Sequence, residues 1–148
     1  MSEKKKKTVF VSGPISPEKI AHSIQSHQTK TDIGAHQIFL GQVRADEFDG
    51  KRVTSIEYSA YEEMAEEKFH EIREATFARF NLSCMHIYHS LGNVKAGEIS
   101  LFVFVSSKHR KDAIDACQHL VEEIKTSVPV FGKELFEDQS HAWKVNQG

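Results

Sequence analysis

Ser106-Ser107-Lys108-His109-Arg110-Lys111, an amphipathic run to Lys125, and then Thr126-Ser127-Val128-Pro129-Val130-Phe131-Gly132-Lys133-Glu134 form the stretch on which the fold turns. Ala113, Cys117, Leu120 and Ile124 recur at helical spacing, and Ala116 and Val121 broaden the stripe, so the run predicts a helix with one buried face. The serines are expected to cap its start, Lys125 falls in its last turn, and Pro129 stops it. His109 and Arg110 then lie in the first turn, where the macrodipole disfavours a cation by about 0.3–1 kcal/mol. Basic groups beside free N–H groups make sense where an anion binds, with the return segment expected to bring Lys133 back to the same region. The plainer reading is a solvated helix face with an ordinary lysine at its C-terminal end.

Outward from this helix, Ile99–Val105 is almost wholly apolar and predicts a strand buried on both faces. Glu62–Phe80 is the longest helical pattern, with Ala65, Phe69, Ile72, Thr76 and Phe80 facing inward and Met64 and Ala75 widening the stripe. Asn81 is expected to end it, and Leu82–His89 to follow as a strand. Leu91-Gly92-Asn93 and Ala96-Gly97-Glu98 read as loop. Gly34–Val43 and Val53–Ala60 are strand candidates, and Gly41 within the first marks a bulge or a close backbone approach. Near the start, Thr8–Ser12 reads as a strand and Ser16-Pro17-Glu18 as a helix start, with His22 and His27 off the apolar stripe and at the surface. A short strand around Leu135-Phe136 and a polar tail complete the chain, with Trp143 either pinning that tail to the body or standing exposed as an interface anchor. Strands and helices mix without strict alternation, which favours α+β.

Composition narrows the function. The chain has 148 residues, 39% of them hydrophobic, and a net charge of -2, which suits one domain over 8–148 and supplies no global field for nucleic acid or membrane. Lys4-Lys5-Lys6-Lys7 belongs to a basic tail over 1–7 that is expected to be disordered. Cys84 and Cys117 read as buried free thiols, and no apolar run is long enough to span a membrane, so a cytoplasmic protein is expected. His86 and His89 fall on opposite strand faces, which argues against a metal pair, and neither metal nor cofactor is expected.

Four segments in register resemble one known family: Phe39-Leu40-Gly41-Gln42-Val43-Arg44, Glu57-Tyr58-Ser59-Ala60-Tyr61-Glu62-Glu63-Met64-Ala65, Ser106-Ser107-Lys108-His109-Arg110, and Lys125 through Glu134. The chain is similar to the catalytic (large) subunits of molybdopterin synthase, the MoaE family. That resemblance implies an α/β-hammerhead-type α+β fold with antiparallel and mixed sheet and about three main helices. It implies a homodimer within a heterotetramer, each large subunit binding a small ubiquitin-like sulfur carrier with a C-terminal thiocarboxylate. The implied reaction, in molybdenum-cofactor biosynthesis, converts cyclic pyranopterin monophosphate to molybdopterin by two sulfur transfers. By the same resemblance Lys125 and Lys133 are catalytic, and Gln42, Val43, Arg44, His109, Arg110, Lys125, Gly132, Lys133 and Glu134 contact substrate. Phe39 packs either against the site or in the core.

One position departs from the family. Its members usually carry a second basic residue where this chain has Gly132, so either Lys133 covers that role through the freedom glycine allows or the site is weaker than is usual in the family. The departure keeps a non-catalytic module that binds a sulfur carrier's tail as an alternative. An unrelated phosphate-ester or nucleotide binder is disfavoured, since neither a glycine-rich phosphate loop nor a metal-spaced carboxylate cluster is present.

Overall fold

The computed structural model describes residues 8–144. The expected basic tail and the last residues of the expected domain lie outside that range. In chain order the elements are β1 (Phe10–Ser12), α1 (Pro17–His27), β2 (Ala35–Gln42), β3 (Glu47–Phe48), β4 (Lys51–Ala60) and α2 (Glu62–Arg79), followed by β5 (Cys84–Lys95), β6 (Ile99–Ser107), α3 (Arg110–Ser127), β7 (Val130–Phe136) and β8 (His141–Trp143). The sheet is eight-stranded in the order β2-β6-β5-β4-β7-β8, with β1 parallel on β5 and β3 paired to β4. Three helices on a largely antiparallel sheet make the class α+β.

The apolar stripes decide the layers. β6 is buried from Ser100 to Ser107, and its Leu101, Val103 and Val105 meet Phe69 and Ile72 of α2 and Ala113, Cys117, Leu120 and Ile124 of α3 on one face. Phe102 and Phe104 point the other way and join Ile15, Ile20 and Tyr88 under α1. A further core of Val43, Val53, Ile56, Val94 and Phe136 lies where β4, β5 and β7 meet.

β5 joins these regions. Cys84–His89 pairs with β6, whereas Gly92–Lys95 pairs with β4. Gly92 makes the bend with a φ of 85°, a region open to glycine but strained for other residues. The expected loop at Leu91-Gly92-Asn93 is therefore strand, because a bend there lets the backbone keep its ladder bonds. Only Ala96-Gly97-Glu98 turns, with φ 90° at Gly97.

Other expectations are corrected in the same way. β6 runs on through Ser106 and Ser107, which pair with His36 and Ala35, so those serines end a strand instead of capping a helix. His109 is the N-cap, with no side-chain cap bond, and Arg110 is the first helical residue. β7 spans Val130–Phe136, longer than the short strand expected, since β4 offers it a complete ladder. α2 stops at Arg79, capped by Phe80, ahead of Asn81. Met64 is 62% exposed and Ala75 is also exposed, because the partners of α2 cover a narrower arc than its apolar residues occupy. His27 is buried, while His22 is exposed as expected.

The start of α1 matches its reading: Ser16 accepts from the Lys19 N–H at 3.2 Å and Pro17 opens the helix. Gly41 is both bulge and close approach, since the register shifts beside it and a Cβ there would lie 3.2 Å from Leu101 Cβ.

Candidate functional site

The C-terminal end of α3, the start of β7 and the end of β8 enclose a cleft of about 360 Å³. Lys125 reaches it from the last turn of α3, Tyr58 from β4, His89 from β5 and Gly132 from β7, with Trp143 and Lys144 closing the far side. The register of α3 and the pairing of the strands set these placements. Lys125 adjoins Ile124 on α3, so the helix that buries Ile124 in the core sets the lysine at the core's rim. Gly132 faces Tyr58 across the β4–β7 ladder, and the Lys144 N–H donates to the Gly132 carbonyl at 2.8 Å.

Burial pushes the Lys125 ammonium below the usual lysine range, and the charge of Lys144 pushes the same way. His89 is buried at 5% exposure, which drives its imidazole down to about 4; the Ser90 bond opposes this and the Lys125 charge adds to it. Its Nδ1 donates to the Ser90 carbonyl at 2.8 Å, so in the neutral ring Nε2 is the acceptor. Burial raises Tyr58, whose hydroxyl donates to Ser100 Oγ at 3.2 Å. At neutral pH the cleft thus holds a lysine eased towards its neutral form, an uncharged histidine and a second lysine on its rim. Such a set can receive an anion and move a proton beside it.

The remaining expected residues fall into separate groups. Arg44 is exposed and pairs with Asp46 at 3.2 Å. Glu134 is buried at 7% exposure, and burial raises its carboxyl; Lys144 and Arg44 oppose this while Asp46 adds to it, so Glu134 links the cleft to the Arg44 pair. Gln42 is exposed at the end of β2. Val43 is packed in the core, its N–H donates to Glu98 and its carbonyl accepts from Gly97, so its backbone is engaged within the chain. Phe39 packs against the main core. Lys133 shares a face with Glu57, 3.6 Å away, and its Nζ lies 5.8 Å from the Trp143 ring centre, outside the cleft lining.

His109 and Arg110 are exposed at the other end of α3. Fifteen residues at helical rise separate Arg110 from Lys125 by about 22 Å. The return segment does not carry Lys133 back to them: β7 leaves the C-terminal end of α3 and joins β4. A single chain therefore brings together Lys125 and Gly132, but not the His109-Arg110 pair.

Sequence reasoning missed His89 and Lys144. The strand parity that places His89 opposite His86 was available as a signal, but nothing in the chain announced that Lys144 would sit beside Gly132. A second depression of about 410 Å³, lined by Ser59, Ala60, Tyr61, Phe131 and Trp143, shares the last two residues with the cleft. Tyr61, Phe131 and Trp143 are 64%, 41% and 60% exposed, an apolar apron at the cleft mouth.

The family described as MoaE protein matches residues 10–127. The molybdopterin synthase catalytic subunit of Oryza sativa subsp. indica is 40% identical over 114 residues, covering 77% of this chain and 58% of the rice protein. This chain therefore spans less than two thirds of that relative. The crystal structure of molybdopterin synthase from Staphylococcus aureus is 31% identical with a TM-score of 0.79, covering 93% of this chain and 96% of that one. A complex of subunits 1 and 2 of molybdopterin-converting factor from Helicobacter pylori has a TM-score of 0.78 over 94% of this chain and 90% of that chain, and at 19% identity the likeness is one of fold. With the match running from β1 to the end of α3 and the S. aureus structure covered almost throughout, the chain belongs to the MoaE family.

Proposed function

We propose that the chain is the catalytic subunit of a molybdopterin synthase, converting cyclic pyranopterin monophosphate to molybdopterin with sulfur from a thiocarboxylated small subunit. The observation that carries this reading is Lys125, desolvated at the head of a cleft that also holds neutral His89 and Lys144. The chain offers no cysteine sulfur of its own there: Cys84 and Cys117 are both buried, and burial pushes Cys117 up to about 11. Sulfur must then arrive on a partner. The apolar apron of Tyr61, Phe131 and Trp143 suits docking of an extended tail whose end enters the cleft. The fold-level relative from H. pylori, itself a complex of two subunits, agrees with such a partner.

In this reading each tail sulfur bonds to a side-chain carbon of the pterin as a carbon–oxygen bond there breaks. Water then cleaves the thioester so formed, leaving the sulfur on the pterin and a carboxylate on the tail. Lys125 gives or takes the proton at the departing oxygen, and its positive form steadies the developing negative charge. Lys144 supplies the second cation that the family carries at the position of Gly132, leaving Lys133 a supporting role beside Glu57 and Trp143. Arg44 and Gln42 at the β2 end bind substrate oxygens, with Glu134 holding the Arg44 side of the site. His109 and Arg110 act on the phosphate from a second copy, which accounts for their distance from Lys125 and calls for a homodimer within a heterotetramer. The same reading makes 8–148 one domain and its setting cytoplasmic, in keeping with free thiols and with no helix among the described residues being long and apolar enough to cross a membrane.

A single-turnover assay with cyclic pyranopterin monophosphate and thiocarboxylated small subunit tests this directly. Wild type is expected to form the dithiolene and Lys125→Ala to form none. A wild type that binds the small subunit yet makes no product would replace the enzyme by a tail-binding module.

A further inference from the structure

On the face of the sheet away from the cleft, β5 aims two donors at the end of α1. Cys84 and His86 are two residues apart on one strand, so their side chains share a face, the one that α1 covers. His27, the last residue of α1, is buried against them, with its Nε2 3.0 Å from His86 Nε2. One donor atom from each of His27, Cys84 and His86 lies within 4.8 Å of the others.

We propose that His27, Cys84 and His86 form a binding site for a divalent ion of the zinc class, pinning the end of α1 to β5. The donor set, two imidazoles and a thiol, is one that zinc favours over magnesium or calcium. His27 is already oriented as a ligand would be, because its Nδ1 donates to the Ser23 carbonyl at 2.7 Å, which leaves the lone pair of the neutral ring on Nε2, facing the cluster. Lys30 Nζ lies 3.1 Å from Cys84 Sγ and supplies the outer hydrogen bond that metal-bound sulfur commonly keeps. The Phe104 ring, 4.7 Å from that of His27, gives the site an apolar wall. In a tetrahedral zinc site the two nitrogens stand about 3.3 Å apart and each nitrogen about 3.6 Å from sulfur. The nitrogens here are close to that spacing, and the sulfur has at most about 1.2 Å to close, within the reach of a cysteine side-chain rotation. The fourth position is open to water, since His86 is only half-buried and the exposed His36 is held by a hydrogen bond between its Nδ1 and Ser106 Oγ.

The site is separate from the sulfur-transfer chemistry. Met85, Ile87 and His89 alternate with these donors and face the opposite side of the sheet. Its test accordingly needs no substrate. Full-length protein, stripped with chelator under reducing conditions, is titrated with cobalt(II) and then zinc(II). The expected result is one equivalent of cobalt with a thiolate-to-cobalt charge-transfer band, displaced by zinc, and a higher melting temperature for the zinc form. Cys84→Ser should abolish the band and Cys117→Ser should keep it. His86→Gln, at a half-buried position that tolerates the change, should weaken cobalt binding by at least about tenfold, with circular dichroism checking that each variant is folded. No stoichiometric uptake, a cobalt spectrum without the thiolate band, or a band that survives Cys84→Ser would overturn the proposal and leave the cluster as a hydrogen-bonded histidine pair beside a core thiol.

Discussion

His89→Gln isolates the electrostatics of the cleft in a measurement that needs neither substrate nor partner. An exposed histidine titrates near 6.5, and burial brings His89 down to about 4 in the folded chain. Protons therefore bind the unfolded imidazole more readily than the folded one, and acid favours unfolding. The stability tied to His89 is fully present above 6.5, drains as pH falls through the window down to about 4, and is constant below it. Linkage between those two values gives about 2 kcal/mol lost between pH 7 and pH 5. Urea unfolding of wild type and His89→Gln at both pH values reads this as a difference of differences, in which the other titrating groups cancel. Wild type should lose about 2 kcal/mol more than the variant. Equal losses would mean that His89 titrates normally, and the description of a neutral imidazole beside Lys125 would fall with it.

Lys144→Ala should raise the Lys125 pKa, since the neighbouring charge now lowers it, and so move the basic limb of the single-turnover pH–rate profile to higher pH; an unmoved limb would remove Lys144 from the site. Gly132→Lys should bring no gain in rate and should destabilise by about 1–2 kcal/mol in urea, because its Cβ would sit 3.0 Å from Ile56 Cγ2 in a packed core; a faster enzyme would show instead that the cleft lacks a cation. Gly34→Ala should be more damaging, by about 3 kcal/mol or more, since its Cβ would fall 2.2 Å from the Lys108 carbonyl oxygen and push β2 from the start of α3; a melting temperature equal to wild type would refute that packing. Ser16→Ala should lose about 1 kcal/mol in the same assay through the lost cap on α1.

The chain alone determined the elements whose signals are local. The 3.6-residue stripe of α3, the unbroken apolar run of β6 and the cap and proline of α1 depend on near neighbours, so their burial could be read directly. The family resemblance pointed to Lys125 and Gly132, and the fold brings those two into one cleft. Tertiary structure decided what depends on distant partners. Ser106 and Ser107 became strand because β2 lies beside them, Gly92 became a bend because β4 waits on its far side, and Met64 stayed exposed because none of the described residues covers that arc of α2. Likewise Lys144 meets Gly132, and His27 meets Cys84 and His86, through strand pairing and helix docking between residues far apart in the chain. Periodicity reports which face of an element is buried, but not what it is buried against, and the chemistry of both sites lies in that second fact.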